Sequence, residues 1–254
     1  MTAQRAAAPL PQEVGPRMEH QQQWWEDRAG KYYETMDITG CVKEYITGRR
    51  ADLVRNWLTE GDRWLDLGVG TGTIFAAALA RTTTRAVGMD YARPMVRIAR
   101  GKPRPYEAGF LQGNGISLPF KDGSFDLAFS VDVLHHIAFE GLDRLRQTLD
   151  EVRRVLRSGG RIVIYEANPL NLYWYYYMRK IGEDNARLMR RPFLKRTLEE
   201  RGFEVVASRY MGFVPQFLSA KGLAFFRPVE RLVEGTPGLS AACSNYFLVG
   251  VKTG

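Results

Sequence analysis

The 254-residue sequence contains little cysteine, no long apolar run and no grouped basic track. Its two cysteines, Cys41 and Cys243, lie far apart and belong to no paired motif, which argues against a disulfide framework or a zinc site and fits a reducing, cytoplasmic environment. No apolar run approaches the length needed to cross a bilayer. The first 17 residues lack the apolar stretch of a secretory signal. We therefore expect a disordered tail over residues 1–17 and a single domain over residues 18–254.

The net charge of +8 raises the question of a nucleic-acid partner. The basic residues are spread along the chain, however, and most of them fall on segments with the periodicity of amphipathic helices. This distribution favours solvated helix faces, and we expect no nucleic-acid partner. The basic groups are Arg49-Arg50, Arg81 and Arg85, Arg153-Arg154 with Arg157, Arg190-Arg191, and Lys195-Arg196.

A glycine-rich turn follows an apolar segment at residues 64–72, which read Trp-Leu-Asp-Leu-Gly-Val-Gly-Thr-Gly. Glycines in such a turn let the backbone come close to a ligand, because they lack Cβ. Asp66 directly before them would repel a pyrophosphate and attract an ammonium group. The third glycine also comes one residue too early for the Gly-x-Gly-x-x-Gly of nicotinamide sites. Asp90, 18 residues after the turn, can accept hydrogen bonds from a ribose diol. The pattern favours S-adenosylmethionine over a dinucleotide.

Apolar strand-like segments alternate with helical segments along the chain. This order predicts a parallel sheet with helices on both faces, and ligands of such sheets bind beyond the carboxyl ends of the strands. Asp66, Asp90, Asn114, Ser130 and Glu166 all fall at or near those predicted ends. The predicted strands are 63–67, 85–90, 107–112, 125–130, 161–165, 203–210 and 244–251, and the main helices are 42–58, 73–81, 92–100, 143–156 and 192–201.

The motif Asp66-x-Gly68-x-Gly70-x-Gly72 resembles the first motif of the class I S-adenosylmethionine-dependent methyltransferases of the small-molecule type (type 11, UbiE-like). The resemblance extends over roughly residues 25–166. It implies an α/β fold with a doubly wound, seven-stranded, mostly parallel Rossmann-like sheet, whose last strand is inserted antiparallel. It also implies methyl transfer from S-adenosylmethionine, with S-adenosylhomocysteine as product. We expect N-terminal lid helices over residues 18–60 and acceptor-side insertions over residues 168–200 and 211–243.

The resemblance also implies which residues bind the cofactor. Asn114 stands where the family usually has Asp, and its amide oxygen can accept from the adenine amino group. Ile116 is expected to stack on adenine, and the residues after the fourth strand to line the methionine part. Tyr32, or alternatively Tyr33, would contact the methionine carboxylate, unless this aromatic stripe is only buried packing. The expected cofactor residues are Tyr32, Asp66, Gly68, Gly70, Gly72, Asp90, Tyr91, Asn114, Gly115, Ile116, Ser130 and Val131.

Three ionisable residues are candidates for a catalytic role toward the acceptor. Histidine titrates near neutrality, so one of His135 and His136 could act as general base while the other is structural. Glu166 is expected to face the acceptor as a base or an anchor. No metal cluster is evident, and we predict no metal. The aromatic C-terminal third suggests a bulky, apolar small-molecule acceptor such as a polyketide, isoprenoid, lipid or alkaloid. The expected acceptor-binding residues are Trp25, Tyr33, Tyr173 and Tyr177.

Other interpretations remain open from the residues alone. The basic surface could serve a methyltransferase that acts on RNA or protein, and the fold could also be a non-catalytic scaffold. The aromatic run at residues 173–178 fits an acceptor wall, a packed amphipathic helix or an oligomer contact. A homo-oligomer formed through the N-terminal helix or this aromatic insertion is therefore a further expectation.

Overall fold

The structure of the chain, a computed structural model, describes residues 40–80, 85–102, 108–172, 175–176, 189–215 and 218–254. The expected tail at residues 1–17 and the first part of the expected lid lie outside the described residues. So do the candidate ligand contacts Trp25, Tyr32, Tyr33, Tyr173 and Tyr177.

Seven strands form one sheet in the order β3-β2-β1-β4-β5-β7-β6. All neighbouring pairs from β3 to β5 are parallel, and β7 runs antiparallel to both of its neighbours. This is the doubly wound, mostly parallel sheet that the sequence predicts. The strands are β1 (Arg63–Leu67), β2 (Arg85–Asp90), β3 (Ala108–Gln112), β4 (Phe125–Val131), β5 (Leu156–Ala167), β6 (Phe203–Met211) and β7 (Asn245–Lys252).

Helices cover both faces of the sheet. Successive strand residues point to opposite faces, so the apolar residues of one strand are buried in two separate cores. Leu65 belongs to one buried core and its neighbour Trp64 to the other. The described helices are α1 (Gly40–Arg55), α2 (Thr73–Leu79), α3 (Arg93–Gly101), α4 (Leu134–Phe139), α5 (Leu142–Val155), α6 (Arg191–Glu200) and α7 (Ala220–Gly235), with a 3-10 helix at Leu239–Ala242. None of these helices is both long and apolar enough to span a lipid bilayer.

Strand β5 starts five residues earlier than the sequence predicts. Phe125 pairs with Leu156, but Leu127 pairs with Arg161, so the residues between Leu156 and Arg161 bulge out of the ladder. Gly159 makes this possible with a φ of 69°. The Gly-Gly pair is therefore a bulge inside the strand rather than a loop before it.

Helix α7 lies within the segment 211–243 and is fastened to α1 by buried charges. Glu230 is 1% exposed and lies 2.8 Å from Arg49, and Tyr45 donates to it over 2.5 Å. Glu234 pairs with the same arginine through two bonds of 2.7 and 2.8 Å. Arg49 is thus part of a structural cluster and not of a solvated helix face.

Candidate functional site

A cavity of about 330 Å³ opens at the carboxyl ends of β1, β2 and β4. Such cavities are where parallel sheets bind ligands. Helix α1 forms one wall, and the glycine turn after β1 forms the floor. The lining includes Lys43, Thr47, Arg50, Asp66, Gly68, Gly70, Thr71, Asp90, Tyr91, Asn114, Gly115, Val131, Asp132 and His136.

Asp90 organises the glycine turn. Its Oδ2 accepts from the backbone N–H of Gly70 over 2.8 Å, and its Oδ1 accepts from the N–H of Ala92 over 2.9 Å. The N–H groups of Gly68 and Val69 both donate to the carbonyl of Met89. Asp90 also lines the cavity, so the acceptor capacity that these bonds leave open is available to hydroxyl groups of a ligand.

The three glycines have different tasks. A Cβ on Gly68 would overlap the Val133 side chain, and a Cβ on Gly72 would lie 2.9 Å from Ala99 Cβ. A Cβ on Gly70 would meet nothing within 4 Å, because this residue faces the open cavity. The close packing of Gly72 on α3 explains why this position is glycine, and its expected approach to the ligand stays a prediction. Gly70 leaves room for a ligand.

This difference predicts unequal losses of stability for two matched substitutions. Both glycines have positive φ, 82° at Gly68 and 52° at Gly70, so each alanine variant carries about 1–2 kcal/mol of backbone strain. Gly68→Ala adds an overlap with Val133 that costs about 1–3 kcal/mol more. We expect urea unfolding to show a clearly larger loss for Gly68→Ala. Equal losses would contradict this reading of the turn.

Asp66 lies beside Asp90 with only 4% of its surface exposed. Burial, and then the charge of Asp90, raises the pKa of Asp66 to about 8. Burial also raises the pKa of Asp90, against the lowering effect of its backbone hydrogen bonds. Two neighbouring buried carboxyls favour a cation in the cavity, since a cation would stabilise the ionised Asp66. They disfavour a pyrophosphate.

The segment after β3 reaches the cavity through its backbone and Asn114. The Asn114 Oδ1 accepts from the N–H of Ile116 over 3.2 Å, which closes a local turn. Gly115 is packed against Thr148 and Ile137, and an added Cβ would lie 3.2 Å from Thr148 Cγ2, so these neighbours would have to shift. Tyr91 also lines the cavity, whereas Ile116 is absent from the lining. The expected stacking of Ile116 on a cavity ligand is therefore not supported by its position.

Ser130 and Val131, at the end of β4, point in opposite directions. Val131 lines the cavity. Ser130 is 1% exposed and has no hydrogen-bond partner for its hydroxyl. Strand alternation turns that side chain into the protein, so the expected contact of Ser130 with the cofactor, mostly through the backbone of this segment, stays a prediction.

Glu166 is turned into the interior and does not face the acceptor side. It is fully buried, and its Oε1 accepts from the N–H groups of Val133 and Leu134 over 3.1 and 2.7 Å. Its Oε2 lies 2.6 Å from His135 Nδ1. The expectation that Glu166 faces the acceptor is wrong, because all these contacts hold it at the start of α4. His135, 7% exposed and outside the lining, is held with it.

His136 is the histidine that lines the cavity. Its ring centroid lies 4.0 Å from that of His135. Burial, and then the charge of His135, holds the pKa of His136 well below the ordinary value of 6.5. A neutral imidazole at neutral pH can accept a proton, which is the state that a general base requires.

Asp132 and Arg50 also line the cavity, and neither was among the site residues expected from the sequence. The Arg50 Nη2 donates to Asp132 Oδ2 over 2.8 Å, and its guanidinium lies 4.6 Å from the centroid of the Tyr165 ring. Asp132 has a φ of 52°, unusual for a residue with a side chain, and its Oδ1 is buried without a partner. Burial raises the pKa of Asp132, against the charge of Arg50. The only signal in the sequence was a carboxylate directly after β4.

The sequence is similar to those of known methyltransferases. Residues 65–164 match the family model described as a methyltransferase domain. This part of the chain is thus similar to methyltransferase domains. A demethylmenaquinone methyltransferase of Beutenbergia cavernae is 35% identical over 160 residues, which are 61% of this chain and 63% of that protein. The enzyme of the same name from Thermus thermophilus is 38% identical over 110 residues, 42% of this chain and 48% of that protein.

The similarity in fold to known methyltransferases extends along most of the chain. A SAM-dependent methyltransferase from Thermotoga maritima superimposes with a TM-score of 0.64 over 92% of this chain and 100% of that one, at 21% identity. This similarity shows the fold, which is the fold that the resemblance in the glycine motif implies. The chain spans only about half to two thirds of the length of the demethylmenaquinone methyltransferases it matches.

Proposed function

We propose that this protein transfers the methyl group of S-adenosylmethionine to a small, bulky and apolar acceptor. The observation that carries the proposal is the cavity itself, which is lined by the glycine turn, by the carboxyl groups of Asp66 and Asp90, and by His136. The family match supports the cofactor, and the cationic preference of the two carboxylates fits its ammonium group. When bound, the cofactor supplies an electrophilic methyl group on a sulfonium.

Different residues of the cavity lining bind different parts of the cofactor. Asp90 accepts from the ribose diol with the acceptor capacity that its backbone hydrogen bonds leave open. Asp66 holds the ammonium group, and Gly70 leaves room for the chain between them. Tyr91, Asn114 and Gly115 lie at the adenine end, with the second lone pair of the Asn114 oxygen as acceptor. Val131 and Thr71 complete the wall around the methionine part.

Positioning is the main catalytic contribution of these residues. Two well-held reactants can gain on the order of 7–11 kcal/mol over free collision. His136 takes the proton that the acceptor loses, and the adjacent His135 and Glu166 position His136 through α4. Asp132 and Arg50 form an ion pair on the acceptor side of the cavity. An apolar acceptor would therefore be held mainly by packing against the cavity wall, with this ion pair as the one polar group beside it.

The acceptor class follows from the aromatic C-terminal third and from the relatives, which are named for demethylmenaquinone. A sulfonium methyl group is an electrophile, so the carbon that accepts it must be electron-rich. A hydroquinone ring meets that need and a quinone ring does not. Reduced demethylmenaquinone is therefore the first acceptor to test, by mass spectrometry for the gain of one methyl group. If only RNA or protein gained methyl groups, the macromolecular alternative would replace this proposal.

Cofactor binding should release a proton near pH 7. Asp66, with a pKa of about 8, is mostly protonated in the free protein, and an adjacent ammonium group favours its ionised form. Affinity for S-adenosylhomocysteine should therefore rise with pH and level off above about 8. Calorimetric titrations in buffers of different ionisation enthalpy measure the released proton. Asp66→Asn should bind without release, and a pH-independent affinity of the intact protein would rule out this role for Asp66.

Replacing His136 should reduce turnover much more than cofactor binding. We expect His136→Asn to lower kcat roughly 100- to 10,000-fold, the range for losing a general base. Since the pKa of His136 is depressed, the intact enzyme should lose activity only below the ordinary histidine range, and the variant should lose that acid limb. The measurements are kcat against pH and the Kd for S-adenosylhomocysteine. Unchanged kcat in the variant would show that His136 is not the base.

A further inference from the structure

Large apolar side chains are exposed mainly at the carboxyl edge of the sheet. Within the described residues they follow β5 or lie on α7 and the 3-10 helix, and the exception is Val206 on β6. Asn171 joins the two groups, because its Nδ2 donates to the Ala242 carbonyl over 2.7 Å. We call this surface the apolar ridge, and it consists of Leu170, Leu172, Tyr176, Phe225, Leu232 and Leu239.

Helix α7 gives the ridge a regular face. Lys221, Phe225, Pro228 and Leu232 follow one another at spacings of four, three and four residues, so they share one side of the helix. Phe225 is 71% exposed and Leu232 is 67% exposed. The opposite side of the helix faces the protein through the buried Leu223 and Glu230. The helix is therefore amphipathic, but with apolar groups on its outer face.

The acidic and basic residues of α7 are unevenly distributed around the helix. Both of its acidic residues, Glu230 and Glu234, point inward to Arg49 and to the N–H groups of residues 212 and 213. Arg227 lies on the same inward side, with its guanidinium 4.7 Å from the centroid of the Tyr45 ring. The exposed Lys221 lies on the outer face and the exposed Arg231 on its flank, so the charges beside the apolar stripe are positive.

We propose that α7 and the apolar ridge dock on an anionic lipid bilayer. Helices that lie in a membrane interface combine an apolar stripe with Lys and Arg, which attract anionic headgroups. A second copy of the chain fits less well, since a two-fold contact would bring the two basic faces together. A nucleic acid would satisfy the cations but leave the apolar stripe in water.

The docking face adjoins the cavity. Helix α1 lies between them, since Lys43 and Thr47 line the cavity while Tyr45 and Arg49 contact α7. An apolar acceptor dissolved in the bilayer would thus meet the protein at the edge that holds the cavity. The inference goes beyond the proposed methyl transfer, and vesicle binding can be measured without any acceptor.

Sedimentation of the full chain with vesicles tests the proposal. We expect binding to vesicles of phosphatidylcholine and phosphatidylglycerol at roughly a 2:1 ratio, weak binding to phosphatidylcholine alone, and release as salt is raised. The double variant Phe225→Ser, Leu232→Ser should lower the partition coefficient at least about tenfold, because it removes two insertable side chains. Val206→Ser, which removes an exposed apolar group elsewhere, should bind like the intact protein.

A charge-reversal pair separates electrostatic from apolar binding. Lys221→Glu with Arg231→Glu should abolish the preference for anionic vesicles, whereas Arg97→Glu on α3 should not. Each variant is first checked for an unchanged Kd for S-adenosylhomocysteine, which separates docking from folding and from cofactor binding. Failure of the intact protein to bind anionic vesicles would overturn the proposal. Equal vesicle binding by the intact protein and the Phe225→Ser, Leu232→Ser variant would also overturn it. So would a dimer that the intact protein forms and this double variant does not.

Discussion

Asp90→Asn should weaken binding of S-adenosylhomocysteine by about 100-fold or more. In the proposed complex the carboxylate accepts two ribose hydroxyls while it holds the N–H groups of Gly70 and Ala92. Hydrogen bonds to a charged acceptor contribute about 1.5–3 kcal/mol each, so losing the charge from two of them gives this factor. The amide NH₂ of the variant would also face a backbone donor. The measurement is a calorimetric titration at fixed pH.

Asp62→Asn provides the matched control for Asp90→Asn. Asp62 is likewise a buried carboxylate, 7% exposed, but it lies before β1 at the opposite edge of the sheet. It accepts from the N–H of Thr59 over 2.8 Å and pairs with Arg161 over 2.7 Å. We expect the Asp62 variant to lose stability and keep its affinity. Equal affinity of both variants would show that Asp90 only supports the turn and does not bind the cofactor.

The fold was predictable because it depends on patterns that repeat along the chain. The alternation of apolar strands and helices gives the parallel sheet, and every predicted strand except β5 starts within one residue of its observed position. The error at β5 came from reading Gly159-Gly160 as a stop signal. Two glycines fit a loop and a bulge equally well, and only the pairing with β4 decides between them.

The site was predictable in its location but not in its side-chain directions. Strand ends brought Asp66, Asp90 and Asn114 to one cavity, as a parallel sheet requires. Whether an end residue points outward depends on the phase of alternation, which separates Val131 from Ser130. Adjacent residues on a helix differ by about 100° in direction, so only one of His135 and His136 reaches the cavity.

The pair of Arg50 and Asp132 shows a second limit of the sequence. These residues lie 82 positions apart, and no local pattern brings them together. Their contact follows from the docking of α1 over the end of β4. Arg50 belongs to a basic group that periodicity assigned to solvent, yet its side chain is only 21% exposed. Tertiary packing overrode the local pattern.

Replacing Glu166 by alanine should cause a large loss of thermal stability. This loss would distinguish a structural role of Glu166 from a catalytic one. Glu166→Ala would leave the N–H groups of Val133 and Leu134 and the ring of His135 without their acceptor in a fully buried site. Removing one member of such a buried charged network costs about 3–5 kcal/mol. For a chain of this length, each kcal/mol shifts Tm by about 2–4 °C, so a loss of roughly 10 °C is expected.

Two comparison variants make the test of Glu166 decisive. Glu166→Gln keeps an acceptor oxygen for the α4 backbone, so it should retain most of the stability that alanine loses. Glu204→Ala removes a carboxylate from the exposed side of β6 and should leave Tm nearly unchanged. If Glu166 instead acted on the acceptor, Glu166→Gln would abolish turnover with an unchanged Tm. The buried position at the start of α4 favours the first result, because a carboxylate that holds two N–H groups and a histidine has no face left toward the cavity.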